Sequence, residues 1–276
     1  MRKNIIFDFA DEIPSTNNKG IKVVEEKKLG IKLKKVQVLE DLNQYNKKGN
    51  YLSFEISSLD EKIISNNKIK YICKQIKDMI SNLNLKENPH VLMVGLGNDD
   101  FSSDALGPET IKKINANSYL NDVQNRVSCI IPGVMKTTGL ESASIIKSLV
   151  KQFKFDLVIV FDSLATRSVD RLFKVIQITD TEIIPGSGIK NFRKSLNAKY
   201  LGVPLIAGGV SMAIMYSSII EIVLDHIHIQ SDLEKEHKSF LIDQLKNNLV
   251  LTSKDTEFRV KNISINLSNI FNHLFN

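Results

Sequence analysis

Two aspartates of this sequence lie at positions where their carboxylates could take part in a reaction. Asp162 follows the apolar run "FDLVIVF", and a continuous run of this kind is typical of a strand buried on both faces of a parallel sheet. Asp104 lies in the loop "GLGNDDFSSDALGP", which follows the apolar run "VLMV". Because open α/β sheets hold their sites at the carboxyl ends of the strands, we expect both carboxylates at one edge of a sheet.

Such a pair of carboxylates has a defined reactivity. Two carboxylates at short range do not both ionise easily, so one keeps a proton while its neighbour is a base. The ionised group can take a proton from water and the neutral group can polarise a carbonyl, which suits amide hydrolysis. Each aspartate also has a structural interpretation. Asp104 can cap the helix that begins near Pro108, and Asp162 can be satisfied by hydrogen bonds or by Arg167.

The glycines before Asp104 raise the alternative of a nucleotide-binding turn. Gly95 and Gly97 fit the first two positions of the dinucleotide fingerprint, but the third glycine is replaced by Asp100. Carboxylates facing a pyrophosphate would repel it, so nucleotide binding is disfavoured. We predict instead that small and polar residues shape the loops of the site. These residues are Gly95, Gly97, Asn98, Gly186 and Gly188.

A metal is the other use for two carboxylates at one edge. Zinc or nickel would normally take a histidine or cysteine ligand as well. The histidines stand at positions 90, 226, 228, 237 and 273, and none follows a predicted strand next to either aspartate. The sequence therefore predicts no metal and no cofactor, and a metal-dependent protease remains the alternative.

Composition and charge narrow the class of protein. The 276 residues carry a formal net charge of +6, in short basic pairs such as Lys27-Lys28 rather than in a stripe. No run approaches the ~18 apolar residues of a membrane span, and Asp8 comes too early for a signal peptide. Cys73 and Cys129 form no CxxC pair, which indicates reduced thiols. We expect a soluble cytoplasmic protein without a direct nucleic-acid or membrane partner.

Hydrophobic periodicity predicts one α/β domain with an N-terminal antiparallel unit. Alternating residues predict strands over 31–40 and 51–57, and a helical pattern follows over 59–85. Short apolar runs then alternate with amphipathic stretches, which is typical of a mostly parallel sheet flanked by helices. The runs are "VLMVG", "VSCII", "FDLVIVFD" and "VPLIAGGV", and the helices cover about 108–119, 140–153 and 212–224, with a last helix from about Asp255. We divide the chain into residues 1–21, an N-terminal segment, and residues 22–276, one α/β domain.

Six separated blocks of this chain resemble the germination proteases of spore-forming bacteria. The blocks are "VGLGN…DALGP", "IPGVM…TGLES…IIK", "DLVIVFDSLATRSVDRL", "IQITDT", "PGSGIKNFRKSL" and "LGVPLIAGGV". The resemblance implies a fold similar to the hydrogenase maturation proteases and an atypical aspartic peptidase that degrades small acid-soluble spore proteins during germination. Its two functional aspartates match Asp104 and Asp162. It also implies a homotetrameric zymogen of the spore that clips its own N-terminal segment, so that residues 1–21 are a possible propeptide.

The resemblance further implies substrates that are cut beside a glutamate. A cationic rim would bind such substrates, and this chain can supply it in two places. The candidates are Arg167, Lys190, Arg193 and Lys194.

The chain departs from the family pattern at three places. The family's N-terminal Arg-Thr-Asp-Leu-Ala motif is replaced by "RKNIIFDFADE", and the histidine before "PGSG" is replaced by Ile184. The family's "GVPTVVDA" is replaced by "GVSMAIMY", so that an aspartate position holds Met215. These departures favour, as the alternative function, a divergent paralogue that is non-catalytic or has another specificity.

Overall fold

One sheet runs through the computed structural model, which describes residues 9–12, 20–41, 47–120, 123–185, 194–226 and 249–275. The strands are β1 (Ile21–Lys28), β2 (Ile31–Val38), β3 (Gly49–Glu55), β4 (His90–Gly95), β5 (Arg126–Ile130), β6 (Leu157–Thr166), β7 (Val175–Thr179), β8 (Glu182–Ile183), β9 (Leu196–Asn197), β10 (Leu205–Met215) and β11 (Val250–Leu251). Their order in the main sheet is β1-β2-β3-β7-β10-β6-β4-β5, with β11 beside β10. β8 and β9 form a separate pair.

One half of this sheet is parallel, as the sequence predicts. β10, β6, β4 and β5 pair in parallel, and the flanking strands β1, β2, β3 and β7 are antiparallel. The predicted α/β class is therefore confirmed. The N-terminal antiparallel strands extend the same sheet, because Phe54 of β3 pairs with Ile176 of β7.

Helices cover both faces of the parallel strands. They are α1 (Asn66–Ile80), α2 (Leu106–Ile111), α3 (Met135–Thr138), α4 (Ser142–Phe153), α5 (Ala198–Leu201), α6 (Tyr216–His226) and α7 (Thr256–Phe275). Alternate residues of one strand contribute to opposite cores. Ile159 and Phe161 pack in the core with α1, α2 and α7, whereas Val158 and Val160 pack in the core with α4 and α5. Both faces of β6 are consequently buried.

Helices α1 and α2 differ in length from their predicted spans. The first long helix begins at Asn66 rather than at residue 59, because the buried Asn266 side chain bonds the backbone before it. Asn266 accepts from the Ile64 N–H at 2.9 Å and donates to the Leu59 carbonyl at 2.8 Å. α2 ends at Ile111, and the chain then turns towards β5, where the Asn117 side chain accepts from the Val127 N–H at 2.7 Å.

The strand β10 is longer than predicted and shortens the helix that follows it. The sequence predicts a helix from Met212, but residues 212–215 continue the strand and α6 begins at Tyr216. The extra residues stay in the sheet because Ile214 pairs with Thr166 of β6 and with Leu251 of β11. Four strands were not predicted, and the two longest of them are β1 and β7. β1 is largely exposed, so its residues show no apolar alternation, and β7 is a run of five buried residues.

Within the residues that the structure describes, no helix combines the length and apolarity needed to cross a lipid bilayer.

Candidate active site

The loop between β4 and α2 holds Asp104 by contacts with its own backbone. The Asn98 N–H donates to the Asp104 carboxylate at 2.9 Å and to the Asp104 carbonyl at 3.1 Å. Gly97 makes this approach possible, because it has φ +115° and a Cβ there would lie 1.9 Å from the Asp104 carbonyl oxygen. A side chain at position 97 would therefore displace the aspartate.

The beginning of α2 fits closely against the ends of β4 and β6. Leu96 donates its N–H to the Phe161 carbonyl at 2.8 Å, which fastens the exit of β4 to β6 beside Asp162. A Cβ on Gly107 would lie 2.2 Å from the Leu96 carbonyl oxygen and 2.5 Å from that of Phe161. A Cβ on Gly95 would lie 2.4 Å from the Gly107 carbonyl oxygen. These glycines bring the Asp104 loop onto the strand that carries the second aspartate.

Asp162 lies inside β6 and is 6% exposed. Its carboxylate accepts from the Ser163 N–H at 2.8 Å. On the neighbouring strand β10 the residue opposite Asp162 is Gly209, where a Cβ would lie 2.4 Å from the Asp162 carbonyl oxygen. β6 extends four residues beyond Asp162, to Thr166. The aspartate therefore stands within a long strand, and the end of that strand forms the rim beyond it.

The loop that carries Asp104 lies next to the strand that carries Asp162. The short 3₁₀ turn Ser102–Asp104 contacts β6 and β10, and β4 pairs in parallel with β6. Asp104 is half-buried and α2 begins after Ala105, which occupies the N-cap position. Water activation by these two carboxylates stays a prediction.

The structure describes two of the four predicted cationic residues, Arg167 and Lys194. The Arg167 guanidinium pairs with Glu221 of α6, and burial lowers the pKa of Arg167 although Glu12 opposes this shift. Lys194 is largely exposed. Its ammonium lies 3.5 Å from the Glu141 carboxylate, and its backbone N–H donates to the same carboxylate at 2.9 Å. The predicted site residues Lys190, Arg193, Gly186 and Gly188 lie outside the described residues.

A contact from the N-terminal segment was not foreseen by sequence reasoning. Glu12 binds the last residues of β6, since its carboxylate accepts from the Thr166 hydroxyl and from the Arg167 N–H. Burial raises the pKa of Glu12, and this effect exceeds the opposing hydrogen bond from Thr166 and the charge of Arg171. A short acidic sequence such as "ADE" is too common to predict this contact, which joins two segments far apart in the chain.

His90 lies at the amino end of β4, away from the aspartates, as predicted. Its ring packs on Phe155 with centroids 4.3 Å apart, and its Nε2 is 3.1 Å from the Ser128 hydroxyl. Burial lowers the pKa of His90. In the described ranges, no group of three histidine, cysteine, aspartate or glutamate residues is arranged to hold a metal ion.

Comparison with known proteins shows that this α/β protein is a peptidase. A peptidase family model, described as germination protease, matches residues 4–264. The curated relatives with this description include one from Caldanaerobacter subterraneus subsp. tengcongensis, which is 33% identical over 280 residues, covering 90% of this chain and 86% of that protein. The chain belongs to the germination protease family.

Other relatives match over a smaller part of their own length. The germination protease of Bacillus subtilis is 35% identical over 232 residues, which cover 78% of this chain and 62% of that protein. The germination protease of Priestia megaterium is 33% identical, over 82% of this chain and 66% of that protein. This chain therefore spans about two thirds of the length of these two relatives.

Among solved structures, a [NiFe] hydrogenase maturation protease from Thermococcus kodakarensis is similar to part of the chain. The match has a TM-score of 0.31 and 17% sequence identity, and it covers 48% of this chain and 79% of that one.

Proposed function

We propose that this protein is an endopeptidase that degrades small acid-soluble spore proteins during spore germination, with Asp104 and Asp162 activating the attacking water. The observation that supports this proposal is that the loop of Asp104 follows β4, the parallel neighbour of the strand β6 that carries Asp162, and that the Leu96–Phe161 hydrogen bond joins the start of this loop to β6. Membership of the germination protease family supports the reaction.

The proposed mechanism is a division of labour between the two carboxylates. The ionised carboxylate removes a proton from water as the water attacks the peptide carbonyl, and the protonated one donates to the carbonyl oxygen. When the tetrahedral intermediate breaks down, the carboxyl that took the proton from water gives it to the leaving amine, and the other carboxylate takes back the proton from the hydroxyl of the intermediate. Each turnover therefore consumes one water and restores one shared proton, with no cofactor required.

The proposal also covers the compartment, the maturation, the assembly and the substrate binding of the enzyme. The protein acts in the cytoplasm of the forespore and spore, is made as a zymogen with an N-terminal propeptide, and forms a homotetramer. Arg167 and Lys194, together with Lys190 and Arg193, bind the acidic residues of the substrate. Lys194 supports this assignment best, because its side chain is 60% exposed.

Purified protein mixed with a small acid-soluble spore protein tests the mechanism. We expect fragments that appear equally with and without chelator, and a loss of at least 100-fold in kcat for both Asp104→Asn and Asp162→Asn. The matched control is Asp100→Asn, an exposed acid of the same loop, which should keep the wild-type rate. Cleavage that survives either aspartate substitution contradicts the carboxylate pair.

The same experiment separates the other candidate functions. Cleavage that stops with chelator indicates a metal-dependent protease. A wild-type chain that cuts nothing, even after its N-terminal segment has been trimmed, indicates the divergent paralogue that Met215 and the altered N-terminal motif favour.

A further inference from the structure

The strand β1 lies at one edge of the main sheet. It pairs with β2 along all 8 of its residues, without a bulge and without a proline. The Gly20 carbonyl accepts from the Leu39 N–H at 2.8 Å, so the even-numbered residues of β1 are the ones that bond β2. The N–H and C=O groups of Val23 and Glu25 therefore point away from the sheet, and no strand among the described residues pairs with them.

The opposite edge of the sheet is closed by the chain itself. At the edge strand β5, the N–H groups of Asn117 and Ser118 donate to the Val127 carbonyl at 3.0 Å and 3.1 Å. The Asn117 side chain accepts from the Val127 N–H at 2.7 Å. An unpaired edge is a template for another strand, and cover of this kind protects it. In the part of the chain that the structure describes, β1 has no such cover, and it exposes Val23 and Val24 by 47% and 60%.

The charges of β1 determine which partner strand fits this edge. An antiparallel partner must place its own outward backbone groups opposite those of β1, so a symmetric pair of β1 strands is centred on a residue rather than between two residues. With Val24 opposite Val24 of the second copy, Lys22 lies opposite Glu26 at two symmetric places. Val23 then lies opposite Glu25. This register opposes unlike charges and no like charges.

The neighbouring registers fit less well. Centring the pair on Glu25 places that carboxylate opposite its own copy and Lys22 opposite Lys28, and like charges directly opposite each other are destabilising. Centring the pair on Val23 places Glu26 opposite Gly20, which precedes the strand. The register centred on Val24 is therefore the one that matches the charges of β1 along its length.

We infer that β1 is a docking surface for a second copy of this chain, which pairs with it in antiparallel orientation about Val24 and joins two sheets into one. The contact needs only residues 22–26, so it remains when the N-terminal segment 1–21 is removed. The Tyr71 hydroxyl of α1 donates to Glu26 at 2.7 Å and holds this carboxylate in place, and Glu26 is still 42% exposed towards Lys22 of the second copy. The inference locates one interface of the homotetramer, and it rests on the proposed function for the assembly but not for the peptidase reaction.

A cysteine at the two-fold axis tests the register. The backbone groups of Val24 point to β2, so the two copies of this residue form a non-hydrogen-bonded pair with Cα atoms about 4.5 Å apart, a distance that a disulfide can span. Full-length Val24→Cys should therefore form a covalent dimer on mild oxidation. Val23→Cys, the exposed neighbour, is the matched control and should form none, as should wild type with Cys73 and Cys129 alone. A Val24→Cys chain that stays uncrosslinked, or a Val23→Cys chain that crosslinks as readily, would overturn the register.

Charge reversal tests the pairing in solution. Lys22→Glu opposes two glutamates at each symmetric place and Glu26→Lys opposes two lysines, so each variant alone should have half the assembly mass of wild type in sedimentation velocity. An equimolar mixture of the two variants restores unlike charges at both places and should recover the wild-type mass. Lys32→Glu, at an exposed lysine of β2, is the matched control and should keep that mass. A mixture that does not recover would overturn the interface.

The same measurements separate this inference from the proposed function. A tetramer whose mass is unchanged in Lys22→Glu overturns the β1 interface alone, whereas a wild type that is monomeric overturns both the interface and the proposed assembly. A chain that assembles through β1 but cuts nothing overturns the peptidase reaction and leaves the interface standing. Protection of the Val23 and Glu25 amides from hydrogen exchange only after substrate is added would assign the edge to a substrate strand and overturn the second copy as its occupant.

Discussion

At the scale of single residues, the candidate site depends on three glycines, because a side chain at any of these positions would collide with the backbone. Gly95, Gly97 and Gly107 each stand where a Cβ would lie within 2.5 Å of a backbone atom. Such a distance is far inside van der Waals contact, so the backbone would have to move. The Asp104 loop can approach β6 only because these three positions carry no side chain.

Gly97→Ala should destabilise the folded protein far more than the same substitution at an ordinary turn glycine. We expect a loss of more than about 3 kcal/mol in the free energy of unfolding, because a clash with the Asp104 carbonyl adds to the strain of a positive φ. Gly139, with φ +70° and open space around it, is the control and should lose about 1–2 kcal/mol as alanine. Urea unfolding measures both, and equal losses would show that the loop adapts.

At the scale of elements, residues 9–12 bind the end of strand β6 through Glu12. Burial raises the pKa of Glu12 despite its hydrogen bonds and the nearby Arg171. The ionised form of the Glu12 carboxylate is therefore less favourable in the folded protein than in the unfolded chain. The contact is correspondingly sensitive to pH.

Glu12 should make the folded state less stable as the pH rises. Below its usual pKa of 4.5 the group is protonated in both states, so it adds no pH dependence. Above 4.5 the folded state binds the proton more tightly, and the stability falls until the pH passes the raised pKa. The difference in unfolding free energy between wild type and Glu12→Gln, measured from pH 4 to pH 8, should therefore shift against wild type. A difference that is constant over this range would contradict the prediction.

At the scale of the whole molecule, the C-terminal helix α7 completes the core behind the site. The Phe271 ring meets the Phe161 ring edge-on with centroids 4.6 Å apart, and both rings are fully buried. Phe161 directly precedes Asp162 in β6. The last helix of the chain thus supports the strand of the candidate catalytic aspartate from one face.

Phe271→Ala should destabilise the whole protein by about 3–5 kcal/mol, the range for deleting a buried aromatic ring. Phe258 of the same helix is 62% exposed, and Phe258→Ala should change stability by less than about 0.5 kcal/mol. Thermal or urea unfolding compares the two directly. Similar losses would show that α7 does not pack as a single amphipathic element.

Several features of this protein were predictable from the sequence alone. The runs that form β4, β5, β6 and β10 are apolar because both faces of a parallel strand are buried, so their existence and their class could be predicted locally. Asp104 follows β4, as that pattern predicts, whereas Asp162 lies inside β6 and not at its end, because the strand continues to Thr166. The roles of the two aspartates stay a prediction until the cleavage assay.

Tertiary structure alone decided which distant residues meet. Asn266 holds Leu59–Ile64 out of helix α1, β11 and β6 keep residues 212–215 in strand β10, and Glu12 reaches Thr166 across more than 150 residues. These are single hydrogen bonds or strand pairs between remote segments, and they leave no periodic signal in either segment. Local sequence patterns report how a segment buries its own side chains, whereas a remote contact depends on how the whole chain closes.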